Sequence, residues 1–368
     1  MIIIVGIYGI IVFVLRRREL FFKLSSSLEI QTDNLFHIDE LTLIVPFRNE
    51  GQNIDALIQS IEESKILPRH IIFVSDHSNE KTVDRIKLLS KQINYKILQL
   101  PIESAGKKKA IDLGVKKCDT KYVLTMDADV WFDKHYFAEL GAQKLTDFNI
   151  LPVNMVGNSL IDGFFAMEYN FQRRGGVLIG QIMKPFVCSG ANLCFTKSLY
   201  NDFSDVRTDW NVASGDDMFF LDFVLKNCAR KIQIIESINV EVKTAAYNSI
   251  SKSLAQRRRW FGKTALLKNP LAAKIGIAVL ITQLAYYGTA FNLIITGHAG
   301  EALLLLIIKA FLDYFLIGKG IIKPRKWPMI VVFEFLFPVY LLTFFLTVNR
   351  SFEWKGRKLK SPPNDGLW

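Results

Sequence analysis

Several carboxylates in the middle of the chain stand where they could do chemistry. Asp127-Ala128-Asp129 directly follows the apolar run Tyr122 to Met126, which reads as a buried strand. Alternate carboxylates at a strand's end can offer one oxygen to a divalent cation and another to a ribose. Mg²⁺ or Mn²⁺ needs only one or two protein carboxylates when substrate phosphates complete its shell. Ser214-Gly215-Asp216-Asp217 precedes the helical run Met218 to Leu225. A carboxylate there can take a proton from an attacking hydroxyl, or serve only to stabilise the helix start. Val45-Pro46-Phe47-Arg48-Asn49-Glu50 and Val74-Ser75-Asp76-His77-Ser78 each end a short apolar run. Asp76 could bind a base or a ribose; Asp, Asn and Ser at such places also serve turns and helix caps.

Cationic residues accompany the carboxylates. Gly106-Lys107-Lys108-Lys109 opens a helical segment without the spacing of a P-loop. Backbone amides at a helix start plus lysines suit a diphosphate, and a solvated lysine face is the alternative. Gln256-Arg257-Arg258-Arg259-Trp260 joins three arginines to an indole. Arginines hold diphosphates or anionic lipid heads, and the indole suits a sugar face or a membrane interface. Arg257 itself reads as part of a basic membrane-surface helix.

These residues need a scaffold, and the pattern around them supplies one. Strand-like runs at Leu41 to Val45, Ile71 to Val74, Tyr95 to Leu100 and Tyr122 to Met126 alternate with helical periodicity at Ile54 to Ile61, Val83 to Leu89 and Ala105 to Val115. Such alternation predicts an α/β fold with a mostly parallel, Rossmann-like sheet and helices on both faces. Ligands then bind outside the carboxyl ends of the strands, where the carboxylates fall. Residues 150–250 are less regular, and Leu254 to Trp260 reads as a helix with a basic face.

The two ends differ from the middle. Half of the 368 residues are hydrophobic, with 28 Phe, which is too apolar for an ordinary soluble domain. Residues 2–15 are apolar and are followed by Arg16 to Arg18, the charge order of an uncleaved anchor with its C-terminal end in the cytoplasm. Further apolar segments lie at about 271–295, 302–317 and 328–347, the last interrupted by Glu334 and Pro338, which suits a re-entrant or interfacial element. Two or three C-terminal spans remain open. The net charge of +11 collects beside these segments, at Arg16 to Arg18, Arg257 to Arg259, Lys323 to Lys326 and Lys355 to Lys360. That distribution favours a membrane surface and argues against nucleic acid. Cys118, Cys188, Cys194 and Cys228 have no metal-site spacing and read as buried thiols. The expected organisation is an anchor at 1–24, a linker at 25–40, a catalytic domain at 41–265, membrane helices at 266–350 and a basic tail at 351–368.

The ordered set Pro46-x-x-Asn49-Glu50, Asp76, Asp127-x-Asp129, Asp216-Asp217 and Gln256-x-x-Arg259-Trp260 resembles the membrane-bound, inverting family-2 glycosyltransferases of GT-A fold. That group includes ceramide glucosyltransferases, poly-N-acetylglucosamine synthases and cellulose synthases. The resemblance covers roughly residues 38–265. It implies that Pro46, Asn49, Glu50 and Asp76 line a nucleotide pocket and that Lys107 to Lys109 include a donor-phosphate contact. It implies that Asp127 and Asp129 hold the sugar nucleotide and its Mn²⁺ or Mg²⁺, and that Asp217, with Asp216 beside it, is the general base. Gln256, Arg259 and Trp260 would bind the diphosphate and frame the acceptor; Ser189-Gly190-Ala191-Asn192 matches a loop near the acceptor sugar. Two departures stand out: one Asp in Ser75-Asp76-His77-Ser78 where the family often has two, and Asp216 where Glu is usual. The implied reaction moves a sugar from a nucleotide sugar, by family a UDP-sugar, to a lipid or glycan acceptor on the cytoplasmic face of the cell membrane. A processive polysaccharide synthase and a non-catalytic membrane scaffold are the alternatives.

Overall fold

The computed structural model describes residues 5–17, 36–89, 93–212, 215–227, 232–266, 270–317, 328–347, 352–354 and 357–359. Ser214, Cys228, Lys323 to Lys326, Trp327, most of the 25–40 linker and most of the basic tail lie outside them. Helix α1 covers residues 5–17. The sheet domain opens with β1 (Leu41–Phe47), α2 (Asp55–Glu63), β2 (His70–Ser75), α3 (Glu80–Lys87), β3 (Tyr95–Gln99), α4 (Lys107–Lys117) and β4 (Tyr122–Met126). There follow β5 (Val130–Phe132), α5 (Tyr136–Gly141), β6 (Phe148–Ile150), β7 (Val153–Val156), α6 (Leu160–Ile182), β8 (Asn192–Thr196), α7 (Lys197–Val206) and α8 (Asp216–Asn227). β9 (Ile232–Ile234), β10 (Val242–Ala245) and α9 (Ile250–Leu266) lead into α10 (Pro270–Ile295), α11 (Ala299–Ile317) and α12 (Pro328–Thr347).

Every residue of β1 is buried, because helices cover both faces of its sheet. Alternate side chains split between two cores, as the strand's period of two requires. Leu43 and Val45 pack with Leu57, Ile61 and Phe137 on one face. Ile44 packs with Ile72, Ile111 and Val115 on the other.

The main sheet has the order β3-β2-β1-β4-β8-β6-β9. β1 to β4 are parallel, as the alternation predicts, and β6 and β9 run in the same direction; only β8, antiparallel to both β4 and β6, is reversed, so the sheet is mixed but mostly parallel. The reversed strand follows α6, a helix of 23 residues, in a region that lacks strand–helix alternation. The reversal has a consequence for chemistry. Asn192, the first residue of β8, pairs with Met126, the last of β4, so the loop before β8 arrives beside Asp127.

In the C-terminal region, Lys274–Ile295 is the one helix among the described residues long and apolar enough to cross a membrane; Met329–Phe344 is apolar but shorter. The expected interruption at Glu334 and Pro338 is absent. α12 continues through Pro338. Glu334 turns inward, where Lys309 approaches to 2.6 Å and the Tyr287 hydroxyl donates at 2.9 Å. Phe164 and Phe165 of α6 join Phe333 and Phe337 of α12 in one apolar cluster, tying the sheet domain to the helices.

Asn192 is fully buried and satisfied. Its Nδ2 donates to the carbonyls of Pro152 at 2.8 Å and Val240 at 3.0 Å, and its Oδ1 accepts from the Tyr136 hydroxyl at 2.6 Å. Removing it leaves buried partners unpaired, so Asn192→Ala is expected to destabilise the fold by about 2–3 kcal/mol, read as a fall in the thermal midpoint.

Candidate active site

The carboxyl ends of β1, β2 and β4, the starts of α4 and α8, and the flanks of α6 and α9 enclose a cavity of about 600 Å³. That volume suits a ligand larger than a single sugar. Asp127 and Asp129 follow β4 directly and line it. Lys107, in the first turn of α4, reaches Asp127 Oδ1 at 2.7 Å and Asp216 Oδ2 at 3.2 Å, so one ammonium bridges the two carboxylate stations. Burial works against that charge, but Asp127, Asp216 and Asp217 outweigh it and hold the Lys107 ammonium well above the usual lysine range. Gly106 caps this helix with φ at 103°, a conformation that glycine adopts without strain.

The three lysines at this helix start separate in space. Lys107 and Lys108 line the cavity, but Lys108 is committed to the carboxylate and backbone carbonyl of Asp209. Burial would raise Asp209; Arg207 and Lys108 outweigh it and hold its carboxyl below the usual range. Lys109 is not a lining residue. Its ammonium sits 3.7 Å from the ring centroid of Trp210, which is.

Asp217 lies in the first turn of α8 and is buried. Its Oδ1 accepts from the amide of Met218 at 2.8 Å and its Oδ2 from the amide of Gly190 at 3.1 Å. Gly190 leaves room for both groups: a Cβ there would stand 2.8 Å from Asp216 Oδ2 and 3.2 Å from Lys107 Nζ, so these side chains would have to shift. The Ser189-Gly190-Ala191 loop therefore touches the carboxylates through its backbone, whereas Asn192 points into the core as a clamp and is not a lining residue.

At the other end, Pro46, Glu50 and Asp76 line the cavity and Asn49 does not. Asn49 has φ 51° and binds the second strand's loop, donating its amide to Ser78 Oγ at 3.0 Å and accepting from the Asn79 amide at 2.9 Å. His77 is also left-handed, with φ 53°. Two such residues at the ends of adjacent strands mark backbone held in place by tertiary contacts. Arg48 lies 3.5 Å from the Asp76 carboxylate and donates to its backbone carbonyl at 2.9 Å.

The wall opposite the sheet comes from α9 and α6. Gln256, Arg259 and Trp260 of α9 line the cavity; so do Tyr169, Gln172 and Arg173 of α6, which sequence reasoning missed. The signal was there: Glu168, Tyr169, Gln172 and Arg173 form a polar stripe at helical spacing between Phe164 to Met167 and Gly175 to Ile179. Trp260 packs against Tyr169 with centroids 5.5 Å apart, and burial pushes the Tyr169 hydroxyl up to about 12. Arg257 corrects the expectation of a membrane-surface residue. It is 4 % exposed and ion-paired with fully buried Glu168 at 2.6 Å.

Among the described residues no group of three or more His, Cys, Asp or Glu side chains is arranged to hold a metal ion. The oxygen-only donors Asp127 and Asp129 do fit a Mg²⁺ or Mn²⁺ ion whose remaining ligands are phosphate and water.

Residues 42–158 match the model of Glycosyl transferase family 2. Over those residues the chain is similar to that family. The poly-beta-1,6-N-acetyl-D-glucosamine synthase of Staphylococcus aureus (strain COL) is 26% identical over 117 residues, which is 32% of this chain and 27% of that protein. The chain thus matches about a quarter of that relative's length. Among solved structures, the Pyrobaculum calidifontis mannosyltransferase PcManGT, in complex with GDP-Man and Mn²⁺, has TM-score 0.47 at 15% identity, covering 92% of this chain and 99% of that one. S. aureus TarS 1-349 in complex with UDP-GlcNAc has TM-score 0.45 at 14% identity, covering 89% and 98%. The family match and the mixed α/β sheet together agree with a GT-A fold.

Two outcomes are expected from the bridged carboxylates. A lysine whose folded pKa is raised contributes stability that is fully present below the unfolded value, about 10.4, and is lost as pH rises through the folded value. Lys107→Gln is therefore expected to lower the thermal midpoint throughout pH 7–9, read by thermal denaturation. Gly190→Ala is expected to displace Asp216 and Lys107 and to slow donor turnover about 10- to 100-fold with little change in thermal midpoint, checked by steady-state kinetics.

Proposed function

We propose that the protein is an inverting glycosyltransferase that moves a sugar from a nucleotide-sugar donor, a UDP-sugar by family resemblance, to a membrane-associated lipid or glycan. One observation carries this reading. Asp127 and Asp129 on one side, and Asp217 on the other, face a single cavity across the Lys107 ammonium. A binding scaffold has no need of a buried carboxylate poised beside a diphosphate-sized space.

In this reading Pro46, Glu50 and Asp76 receive the nucleoside, and Lys107 and Arg259 face the diphosphate. Asp217 takes the proton of the acceptor hydroxyl. The oxygen forms its bond to the anomeric carbon as the bond from that carbon to the phosphate oxygen breaks, and the nucleoside diphosphate leaves with the electron pair. Attack opposite the leaving group inverts the anomeric centre. Asp127 and Asp129 would hold the Mn²⁺ or Mg²⁺, which supplies positive charge to the leaving phosphates. Positioning and fixed charge supply most of the rate. Trp260, backed by Tyr169, offers an apolar face to a sugar ring.

The acceptor belongs at a membrane. Helix α10 is long enough to span one, and Ile277, Ile281, Leu284 and Phe291 on it are exposed. On α1, Ile10 and Phe13 are exposed as well. The charged residues Lys309, Asp313 and Glu334 turn inward and pair with one another, which is how ionisable groups are accommodated among lipid-embedded helices. We place the catalytic unit on the cytoplasmic face of the cell membrane, with α1 and the C-terminal helices as its anchors. The partial match to a polysaccharide synthase favours a second reading, processive synthesis, which glycan length on a defined primer separates from single transfer.

The test is donor hydrolysis and transfer by the detergent-purified chain across a panel of nucleotide sugars with Mn²⁺, Mg²⁺ or EDTA. One donor is expected to turn over in a metal-dependent way. Asp217→Asn is expected to cut transfer at least about 100-fold while retaining donor binding. Folded protein that binds no nucleotide sugar would sink the enzyme reading and leave the scaffold.

A further inference from the structure

Glu168 lies outside the cavity and takes no part in the proposed reaction, yet it is wholly buried at the point where three helices meet. From α9, Arg257 donates Nε to its Oε2 at 2.6 Å and brings Nη2 to the same distance. From α12, the Tyr340 hydroxyl donates to Oε1 at 3.0 Å. Gln172 of α6 itself donates to Oε1 as well. Arg257 then passes this arrangement on. Its Nη1 donates to Gln256 Oε1 at 2.7 Å, its Nη2 to the Phe165 carbonyl at 2.9 Å, and its guanidinium lies 4.5 Å from the Trp260 ring centroid. Gln256 and Trp260 line the cavity; Arg257 and Glu168 do not.

A buried ion pair is a poor source of net stability, since apolar side chains of similar volume often serve as well. What the pair adds is direction. The planar fork of a guanidinium fixes several neighbours at once, and here two of them are lining residues of the cavity.

We infer that Glu168 is a positioning residue: through Arg257 it orients Gln256 and Trp260 at the acceptor end of the cavity, and through Tyr340 it links that orientation to helix α12. The role of Gln256 and Trp260 rests on the proposed transfer reaction; what holds them rests on the geometry alone.

The experiment uses the full chain in lipid nanodiscs with Glu168→Gln, Trp260→Ala, their double variant and Tyr340→Phe. Without any substrate, Glu168→Gln is expected to raise amide hydrogen exchange across residues 254–260 about tenfold. In transfer assays its kcat is expected to fall about 10- to 100-fold while KM for the donor stays within about threefold. The double variant is expected to be no slower than Trp260→Ala, because both changes remove the same oriented group. Tyr340→Phe keeps the fold and the ion pair, and is expected to show the same split to a smaller extent. Unchanged exchange in both Glu168→Gln and Tyr340→Phe would overturn the inference, as would a double variant whose losses multiply. A wild-type chain that turns over no donor defeats the transfer reading, and the exchange measurement then decides the positioning role by itself.

Discussion

The arrangement of the site depends on the ammonium of Lys107. Asp127 follows the fourth strand, and Asp216 and Asp217 open a helix about ninety residues later. Bringing these acids to one partly buried cavity places like charges side by side, and their repulsion there exceeds its value in bulk solvent. The Lys107 ammonium between Asp127 and Asp216 answers it. That cation needs a fixed origin, which the left-handed Gly106 supplies by starting α4 at the cavity, and an unobstructed path, which the missing side chain of Gly190 supplies. Sheet edge, helix start and glycine loop are thus parts of one electrostatic solution.

The antiparallel strand β8 extends that solution. By running against β4 it delivers the glycine loop to the carboxyl edge, and Asn192 clamps the strand to its neighbours so that the loop cannot drift. Beyond it the cavity is walled by α6 and α9. The family match ends at residue 158, so Gly190, Asp216, Asp217 and the Gln256–Trp260 segment all lie past it. The strand-end side of the cavity, with Pro46, Asp76 and Asp127, lies within the family match; the other side is assembled by later segments of the chain. α6 joins the two systems, with Tyr169 and Gln172 toward the cavity, Phe164 and Phe165 toward α12, and Glu168 between them.

Much of this was legible in the sequence. The alternation through residue 126 predicted four strands and three helices within a few residues of their observed limits, because buried parallel strands and amphipathic helices are local patterns of apolar residues. The positions of Asp127, Asp129 and Asp217 beside a strand end and a helix start came from the same patterns. The apolar C-terminal segments were visible as helices.

Other features were decided only by the tertiary structure. The direction of β8 depends on pairing with strands distant in sequence, and no local period encodes it. Three consecutive lysines look alike on paper, but successive residues on a helix point about 100° apart, so one meets carboxylates, one a buried aspartate and one an indole. Asn49 and Asn192 carry donors and acceptors that suit a ligand or a backbone equally well; which they meet is set by long-range hydrogen bonds. Arg257 and Glu334 read as membrane-surface and helix-breaking residues because charge alone suggests exposure, yet each found an opposite charge from another helix. Charge, hydropathy and period belong to a residue and its neighbours in the chain, so the sequence by itself determined the strands, the helices and the acids at their ends. Partners belong to the folded molecule, because only folding brings residues 168, 257 and 340 to one place.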